Sequence, residues 1–433
     1  MKNSNYYDRD GNSSNSRNSG NIRSSNNSRS SRNSALRRRR RRRNNSGGLI
    51  LTLLVLIGLG IAVFYIVSNA MNDKDNSSSH ISDSGSGAVT SNSLSKTRPT
   101  VTVTISPSEF WGNDIDFSKN YTIVETGNIL KKWPTGSGFN IVETDISAYK
   151  SREYDSYALE GITVVLDPGH GGEDMGAVYP RAPIKPAIVE ARINLIIANI
   201  VKVKLENLGA KVILTRTDDK YYRLYYRSAI TAKITLSAFY NRLSPSSPNR
   251  DLITNYINKM DHTIQINDDK NTETWFYGLG VRRELKNILD LQRANTDHMF
   301  LSLHCNSTET PDTLHGIRVF YSTNKSIYDD EVKVDKDKIF PEYQNYDDAK
   351  RLRLATILHD RIVKDNPGMI YYDSNITTTP INYSVIREEN LVSALIEMGY
   401  VNHSGDREFL LDPLKQEEMA ESITKGIYEY YCK

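Results

Sequence analysis

The chain has 433 residues, enough for two or more domains, and 38% of them are hydrophobic, which fits a soluble fold with appended segments. Its net charge of +3 hides an asymmetry, because residues 1–48 contain 12 arginines and one lysine against two aspartates. This tail therefore carries +13 − 2 = +11 and the rest of the chain +3 − 11 = −8, which argues against simple electrostatic attachment of the folded part to anionic polymers. With only two cysteines, the sequence excludes a disulfide framework.

The N-terminal tail is rich in Asn, Ser and Gly and almost free of apolar residues, which predicts disorder over residues 1–48. Its seven consecutive arginines, at 37–43, would alone indicate nucleic-acid binding. They are followed by a run without charge at 49–67, and a helix of this length spans a bilayer core of about 30 Å. Because arginines before a span remain cytoplasmic, we expect a single-pass protein of the cell membrane with its N-terminus inside, everything after Ser68 outside and no nucleic-acid ligand.

A cleaved signal peptide is the alternative, since Ser68-Asn69-Ala70 has the form of a cleavage site. The apolar run is longer than the usual signal core of about 7 to 15 residues, which favours an uncleaved anchor. Residues 68–99 are polar and predict a flexible linker. Residues 100–157 contain enough aromatic residues to be ordered, but their role is open.

The next stretch, GITVVLDPGHGGEDMG at 161–176, organises the rest of the chain. Residues 162–166 form a short apolar run typical of a strand buried on both faces. A turn is predicted at Asp167-Pro168-Gly169, and His170 follows it. Open α/β sheets bind their ligands outside the carboxyl ends of the strands, so His170 is predicted to lie in a site.

Two later segments repeat this arrangement. The apolar run at 298–303 ends in His304, Cys305 and Asn306, and the run at 394–396 ends in Glu397. Because side chains alternate along a strand, Cys305 is expected to point away from the site and into the core.

A helical pattern over 188–208 and a strand at 211–215 follow the first strand. This alternation predicts an α/β fold, a mostly parallel sheet flanked by helices on both faces, within a catalytic domain at 158–433. Glu190 stands where the helix begins and is expected to face the crevice of His170.

About 80 residues separate the strand at 211–215 from that at 298–303, where a crossover needs about 20 to 30. We therefore predict an insertion at about 236–285. It is either a surface elaboration or a lid or regulatory element over the site.

Zinc favours imidazole and carboxylate ligands, and a catalytic zinc site takes three of them from protein. His170, Glu190 and His304 would form such a set. Glu397 is then the expected general base of an amide hydrolase.

Seven segments, in order, resemble the zinc-dependent N-acetylmuramoyl-L-alanine amidases of the third amidase family, which cleave the amide between N-acetylmuramic acid and L-alanine in peptidoglycan. The matching segments are VVLDPGHGGEDMGAV at 164–178, E-x-x-x-NL at 190–195, LTR at 214–216, RAN at 293–295, FLSLHCNS at 300–307, GIRVFY at 316–321 and LIEMGYVNHSGDREFL at 395–410.

The resemblance implies that His170, Glu190 and His304 bind Zn²⁺, that Glu397 is catalytic and that Asn306 contacts substrate. Some relatives use extra helices to occlude the zinc until a partner binds, which implies a protein activator acting on residues 236–285. The chain departs from the family pattern in this insertion and in an inserted RAPIKP at 181–186.

The sequence is thus interpreted as a membrane-anchored zinc amidase of peptidoglycan that remodels the cell wall. Two alternatives stay open: a catalytically silent wall-binding or scaffold protein with an occluded site, and a zinc peptidase of the stem peptide.

Overall fold

The computed structural model of the protein describes residues 125–126, 129–130, 143–247, 249–271, 273–276, 281–282, 285–331, 333 and 345–433. The predicted basic tail, membrane span and linker lie outside the described residues, as does most of the segment 100–157. Among the residues that are described, no helix combines the length and apolar character needed to cross a bilayer.

The strands of the described residues are short at the chain's start and longest next to the predicted site. They are β1 Glu125–Thr126, β2 Ile129–Leu130, β3 Thr163–Pro168, β4 Val178–Tyr179, β5 Ile188–Val189, β6 Lys211–Leu214, β7 Val281–Arg282, β8 His298–Asn306, β9 Arg318–Tyr321, β10 Thr378–Pro380 and β11 Val392–Tyr400.

The helices alternate with these strands through most of the chain. They are α1 Glu190–Asn207, α2 Leu224–Arg242, α3 Arg250–Ile266, α4 Lys286–Ala294, α5 Asn324–Glu331, α6 Asp348–Asp365, α7 Ser384–Arg387, α8 Ser404–Leu411 and α9 Pro413–Cys432.

One six-stranded sheet, in the order β10-β9-β11-β8-β3-β6, carries the predicted site. The strands β11, β8, β3 and β6 run parallel, whereas β9 is antiparallel to β11. The parallel register places Pro168 beside Leu303 and Glu397 beside His304. The ends of the three site strands therefore meet at one edge, as a mostly parallel sheet requires.

Helices cover both faces of this sheet. On one face, side chains from α1, α6 and α9 pack on the strands in the largest hydrophobic core, which includes Cys305 as predicted. The other face is covered by α7 and by Leu224 and Ile234 of α2, which pack on a smaller cluster around Phe300 and Phe320. The predicted α/β sandwich is confirmed for this part of the chain.

Two strands extend further than the sequence indicated. β3 continues through Asp167 and Pro168, where a turn was predicted, and β11 covers Val392–Tyr400 instead of three residues. Asp167 can remain in a buried strand because Thr215, Arg227 and Ser302 all donate hydrogen bonds to its carboxylate.

The long segment between β6 and β8 builds a second hydrophobic core of its own. Its buried side chains come mainly from α2, α3 and α4: Ala229, Ala232, Leu236, Phe239, Leu243, Ile253, Met260, Phe276, Leu285, Ile288, Leu289, Leu291 and Ala294, with Ile327 and Tyr346 from later in the chain. A separate three-stranded sheet, β1-β2-β7, pairs residues 129–130 with 281–282. Residues before the predicted catalytic domain therefore pair with residues of the predicted insertion.

Candidate active site

The site begins with the turn after β3. His170 has a left-handed backbone, with φ 62°. At Gly169, which precedes it, an added Cβ would lie 2.1 Å from Cε1 of His304. Only glycine allows the two strand ends to approach this closely.

Two buried arginines hold this turn by its carbonyl oxygens. Arg216 donates from Nε to Pro168 O at 2.7 Å and from Nη2 to Gly169 O at 2.9 Å. Arg227, from the first turn of α2, donates to Pro168 O at 2.9 Å and to His170 O at 2.8 Å. Oδ1 of Asp167 lies 2.6 Å from Nη1 of Arg227, so the carboxylate of Asp167 balances the positive charge of Arg227. These contacts fix the backbone from which the His170 side chain extends.

The structure brings His170, Glu190 and His304 together. Oε1 of Glu190 lies 3.1 Å from Nε2 of His170 and 2.9 Å from Nδ1 of His304, and one ligand atom from each residue lies within 4.8 Å of the others. A tetrahedral zinc ion with bonds of about 2.0 to 2.1 Å sets its ligand atoms roughly 3.3 Å apart. The donor set and its spacing therefore fit zinc, while the ligand roles of these residues stay a prediction.

Backbone amides orient the Glu190 carboxylate at the start of α1. Oε2 accepts from Ala177 N at 2.6 Å, and Oε1 accepts from Cys305 N at 2.9 Å. At Gly176, with φ +66°, an added Cβ would lie 2.5 Å from Oε2 of Glu190 and 2.6 Å from Cδ2 of His170. The loop before α1 therefore closes tightly around both side chains.

Asp174 orients the first histidine. Its Oδ2 lies 2.6 Å from Nδ1 of His170, which leaves Nε2 toward Glu190. Metal-binding histidines commonly donate their second ring N–H to a carboxylate in this way. Asp174 lies within the motif at 161–176, and its position four residues after a candidate ligand was a sequence signal for this role that had not been used.

Glu397 lies beside His304 in the parallel pair of β11 and β8. Its Oε2 is buried and has no hydrogen-bond partner among the described residues. Burial, followed by the nearby charge of Glu190, raises the pKa of Glu397 to about 8. A bound cation would lower the pKa of Glu397 and favour its ionised carboxylate. An unsatisfied carboxylate oxygen at this position suits a group that exchanges a proton with water or substrate.

The protonation states of His170 and Glu190 depend on each other. Burial lowers the pKa of His170, but the carboxylates of Glu190 and Asp174 outweigh it and raise that pKa to about 10. For Glu190, burial favours the neutral acid, yet the adjacent His170 holds the pKa of Glu190 well below its ordinary value. Without a metal, the cluster therefore retains a proton on His170, which a metal ion must displace.

Asn306 ends β8, and its side-chain oxygen accepts from Ser307 N at 2.7 Å. That contact shapes the turn after the strand. The predicted contact of Asn306 with substrate stays a prediction.

Arg216 and Arg227 were not predicted from the sequence to have a role in the site. Arg216 stands in the quoted LTR segment, whereas Arg227 carries no local signal. It is one of several polar residues at the start of a helix, and only the tertiary structure turns it toward Asp167.

Comparisons with known proteins identify the family of the chain. The family model for N-acetylmuramoyl-L-alanine amidase matches residues 164–241 and 250–429. A Staphylococcus aureus protein described as "Probable cell wall amidase LytH" is 31% identical over 357 residues, covering 82% of this chain and 87% of that relative.

Similar solved structures include an N-acetylmuramoyl-L-alanine amidase from Clostridium difficile 630, at 21% identity and a TM-score of 0.38 over 62% of this chain and 96% of that one. Another is the CwlD amidase of Clostridioides difficile in complex with the GerS lipoprotein, at 21% identity and a TM-score of 0.37 over 62% of this chain and 98% of that one. The match of the family model and the Staphylococcus aureus relative show that the chain belongs to the N-acetylmuramoyl-L-alanine amidases, enzymes that hydrolyse an amide of peptidoglycan.

Proposed function

We propose that this chain is a zinc-dependent, membrane-anchored amidase that cleaves the bond between N-acetylmuramic acid and L-alanine during cell-wall remodelling. One observation carries the zinc assignment. Two imidazoles and a carboxylate, from three separate parts of the chain, lie within 4.8 Å of one another next to the unsatisfied carboxylate of Glu397.

In this proposal His170, Glu190 and His304 hold the zinc ion. When bound, zinc supplies a Lewis acid that polarises the amide carbonyl and lowers the pKa of water. Glu397 takes a proton from the attacking water and passes it to the leaving amine of alanine. Asp174 keeps Nε2 of His170 directed inward, and the two arginines keep the turn in place.

We also propose that residues 49–67 anchor the protein in the cell membrane as a single span, with the arginine-rich tail in the cytoplasm and the catalytic domain outside, where peptidoglycan lies. The support is the uncharged run of 19 residues after seven arginines. Protease treatment of intact cells tests the orientation: the catalytic domain should be digested and an epitope on the tail protected.

The product identifies the reaction. Zinc-loaded full chain should release intact stem peptides with a free alanine amine from purified sacculi, as judged by mass analysis. Shortened stems would instead indicate a peptidase. If the full chain releases nothing while its site is loaded with zinc, the scaffold alternative gains support. His170→Ala is the inactive control.

A protein partner acting on residues 236–285 is part of the proposal. The helix α2 contains both Arg227, which holds the His170 turn, and Leu236 and Phe239 of the second core. A partner that shifts this core would therefore displace a contact of the site. Deleting residues 243–284 keeps every residue of α2 in the chain but removes Asn267 and Asp269, which accept hydrogen bonds from the backbone N–H groups of residues 223–225. The proposal expects this deletion to change the rate of sacculus cleavage, whereas an unchanged rate would rule out control by this segment.

A further inference from the structure

Arg318 and Glu397 face each other across two neighbouring strands. Arg318 begins β9 and is the register partner of Glu397 in the antiparallel pair of β9 and β11. Directly opposite residues in such a pair share a face, with Cβ atoms about 4.5 to 5.5 Å apart. Arg318 therefore lies at the same edge of the sheet as the candidate base.

The two side chains form no ion pair with each other, and within the described part of the chain Arg318 pairs with no carboxylate. Its Nη2 donates to Oγ1 of Thr379 at 3.0 Å, and its guanidinium carbon lies 4.5 Å from the ring centroid of Phe320 and 5.1 Å from that of Tyr371. Nε is buried and has no hydrogen-bond partner among the described residues. The aromatic rings and Thr379 thus hold the guanidinium away from Glu397.

The other arginines near the sheet differ from Arg318. Arg216 and Arg227 each donate to several carbonyl oxygens of the site turn. Arg351 binds the Glu389 carboxylate and four carbonyl oxygens. The N–H donors of those three arginines bind other groups of the protein. Arg318, in contrast, is only partly buried and retains N–H donors for a ligand.

We propose that Arg318 recognises a carboxylate of the stem peptide, on the alanine side of the scissile amide. The inference rests on the proposed function, in which Glu397 protonates the leaving alanine amine. The peptide side of the substrate then lies over Glu397, and the next residue of the stem comes within reach of its neighbour Arg318. A guanidinium held between aromatic rings binds a carboxylate through paired, charge-assisted hydrogen bonds.

The test uses two dipeptides as inhibitors of sacculus cleavage by the zinc-loaded full chain. L-alanyl-D-glutamate and L-alanyl-D-isoglutamine, both blocked as the γ-methylamide, differ only in whether the α-group is a carboxylate or a neutral amide. The carboxylate form should inhibit at a concentration about 10- to 100-fold lower, the range expected for a hydrogen-bonded charge. Arg318→Gln should reduce this ratio to about 1. Arg318→Lys keeps the positive charge but not the planar, paired N–H donors of the guanidinium, so it should leave a smaller preference for the carboxylate than wild type shows.

Arg353→Gln, which removes an exposed cation on α6, is the matched control and should keep the wild-type ratio. Equal inhibition of wild type by the two dipeptides, or a wild-type ratio in Arg318→Gln, overturns the recognition role. If wild type releases no free alanine amine from sacculi, the amidase assignment itself fails, so the two failures are distinguishable.

Discussion

Oδ2 of Asp174 lies 2.6 Å from Nδ1 of His170, the ring nitrogen that does not face Glu190. We expect Asp174→Asn to weaken zinc binding by about 10- to 100-fold, because an outer carboxylate fixes the tautomer and orientation of a histidine ligand. Competition with a chelator measures the change. Glu173→Gln, at the exposed neighbouring position, should bind zinc as wild type does. Equal affinities for the two variants would show that Asp174 does not orient the histidine.

Gly176 leaves no space for a side chain between Glu190 and His170. We expect Gly176→Ala to lower zinc affinity by at least about tenfold, since its Cβ would lie 2.5 Å from a carboxylate oxygen and displace it. Gly368→Ala is the matched control, because an added Cβ there has no neighbour within 4 Å. The zinc content of each variant, measured after dialysis, tests this difference. A Gly176→Ala protein that retains its full zinc content would contradict the close packing of Gly176 against Glu190 and His170.

The buried pair of Asp167 and Arg227 should contribute to stability. In Asp167→Asn the guanidinium of Arg227 loses its carboxylate, and breaking one side of a buried pair costs about 3 to 5 kcal/mol of unfolding free energy. Asp329→Asn, which breaks an exposed pair with Lys325, should cost less than about 1 kcal/mol. Denaturant unfolding followed by circular dichroism compares the two losses, and equal values would refute this role for the pair.

Asp167 should also make the unfolding free energy depend on pH. Burial raises the pKa of Asp167, but the charge of Arg227 and the hydrogen bonds from Arg227, Thr215 and Ser302 together outweigh burial, and the net pKa is lowered. A carboxyl with a lowered folded pKa stabilises the fold above its unfolded pKa of about 4, and this contribution is lost as the pH falls through the folded value. Below about pH 4, the unfolding free energy of wild type should therefore fall more steeply than that of Asp167→Asn. Parallel curves in acid would contradict the assignment.

Much of the sheet was predictable from sequence because its central strands are short apolar runs, each followed by a polar residue. The same pattern brought His170, His304 and Glu397 to one edge, since parallel strands end together. Strand ends were less predictable. Asp167 reads as a turn residue because its three hydrogen-bond donors come from distant parts of the chain.

The residues that support the site were harder to find. Arg227 has no periodic or local signal, and Arg318 stands within the GIRVFY segment at 316–321 without any sign there of its role. Each of the two arginines contacts a partner 60 or more residues away in sequence. The second hydrophobic core was also missed, because α2 continues from the site into the segment treated as an insertion.

The central claim is that Glu397 acts on a substrate held at a zinc site formed by His170, Glu190 and His304. The most direct measurement determines zinc content and stem-peptide release from sacculi for the same preparations of wild type, Glu397→Gln and His170→Ala. We predict that Glu397→Gln retains zinc but loses activity by at least about a hundredfold, as expected when a general base is removed, and that His170→Ala loses both. Full turnover by Glu397→Gln, or unchanged zinc content in His170→Ala, would contradict the account.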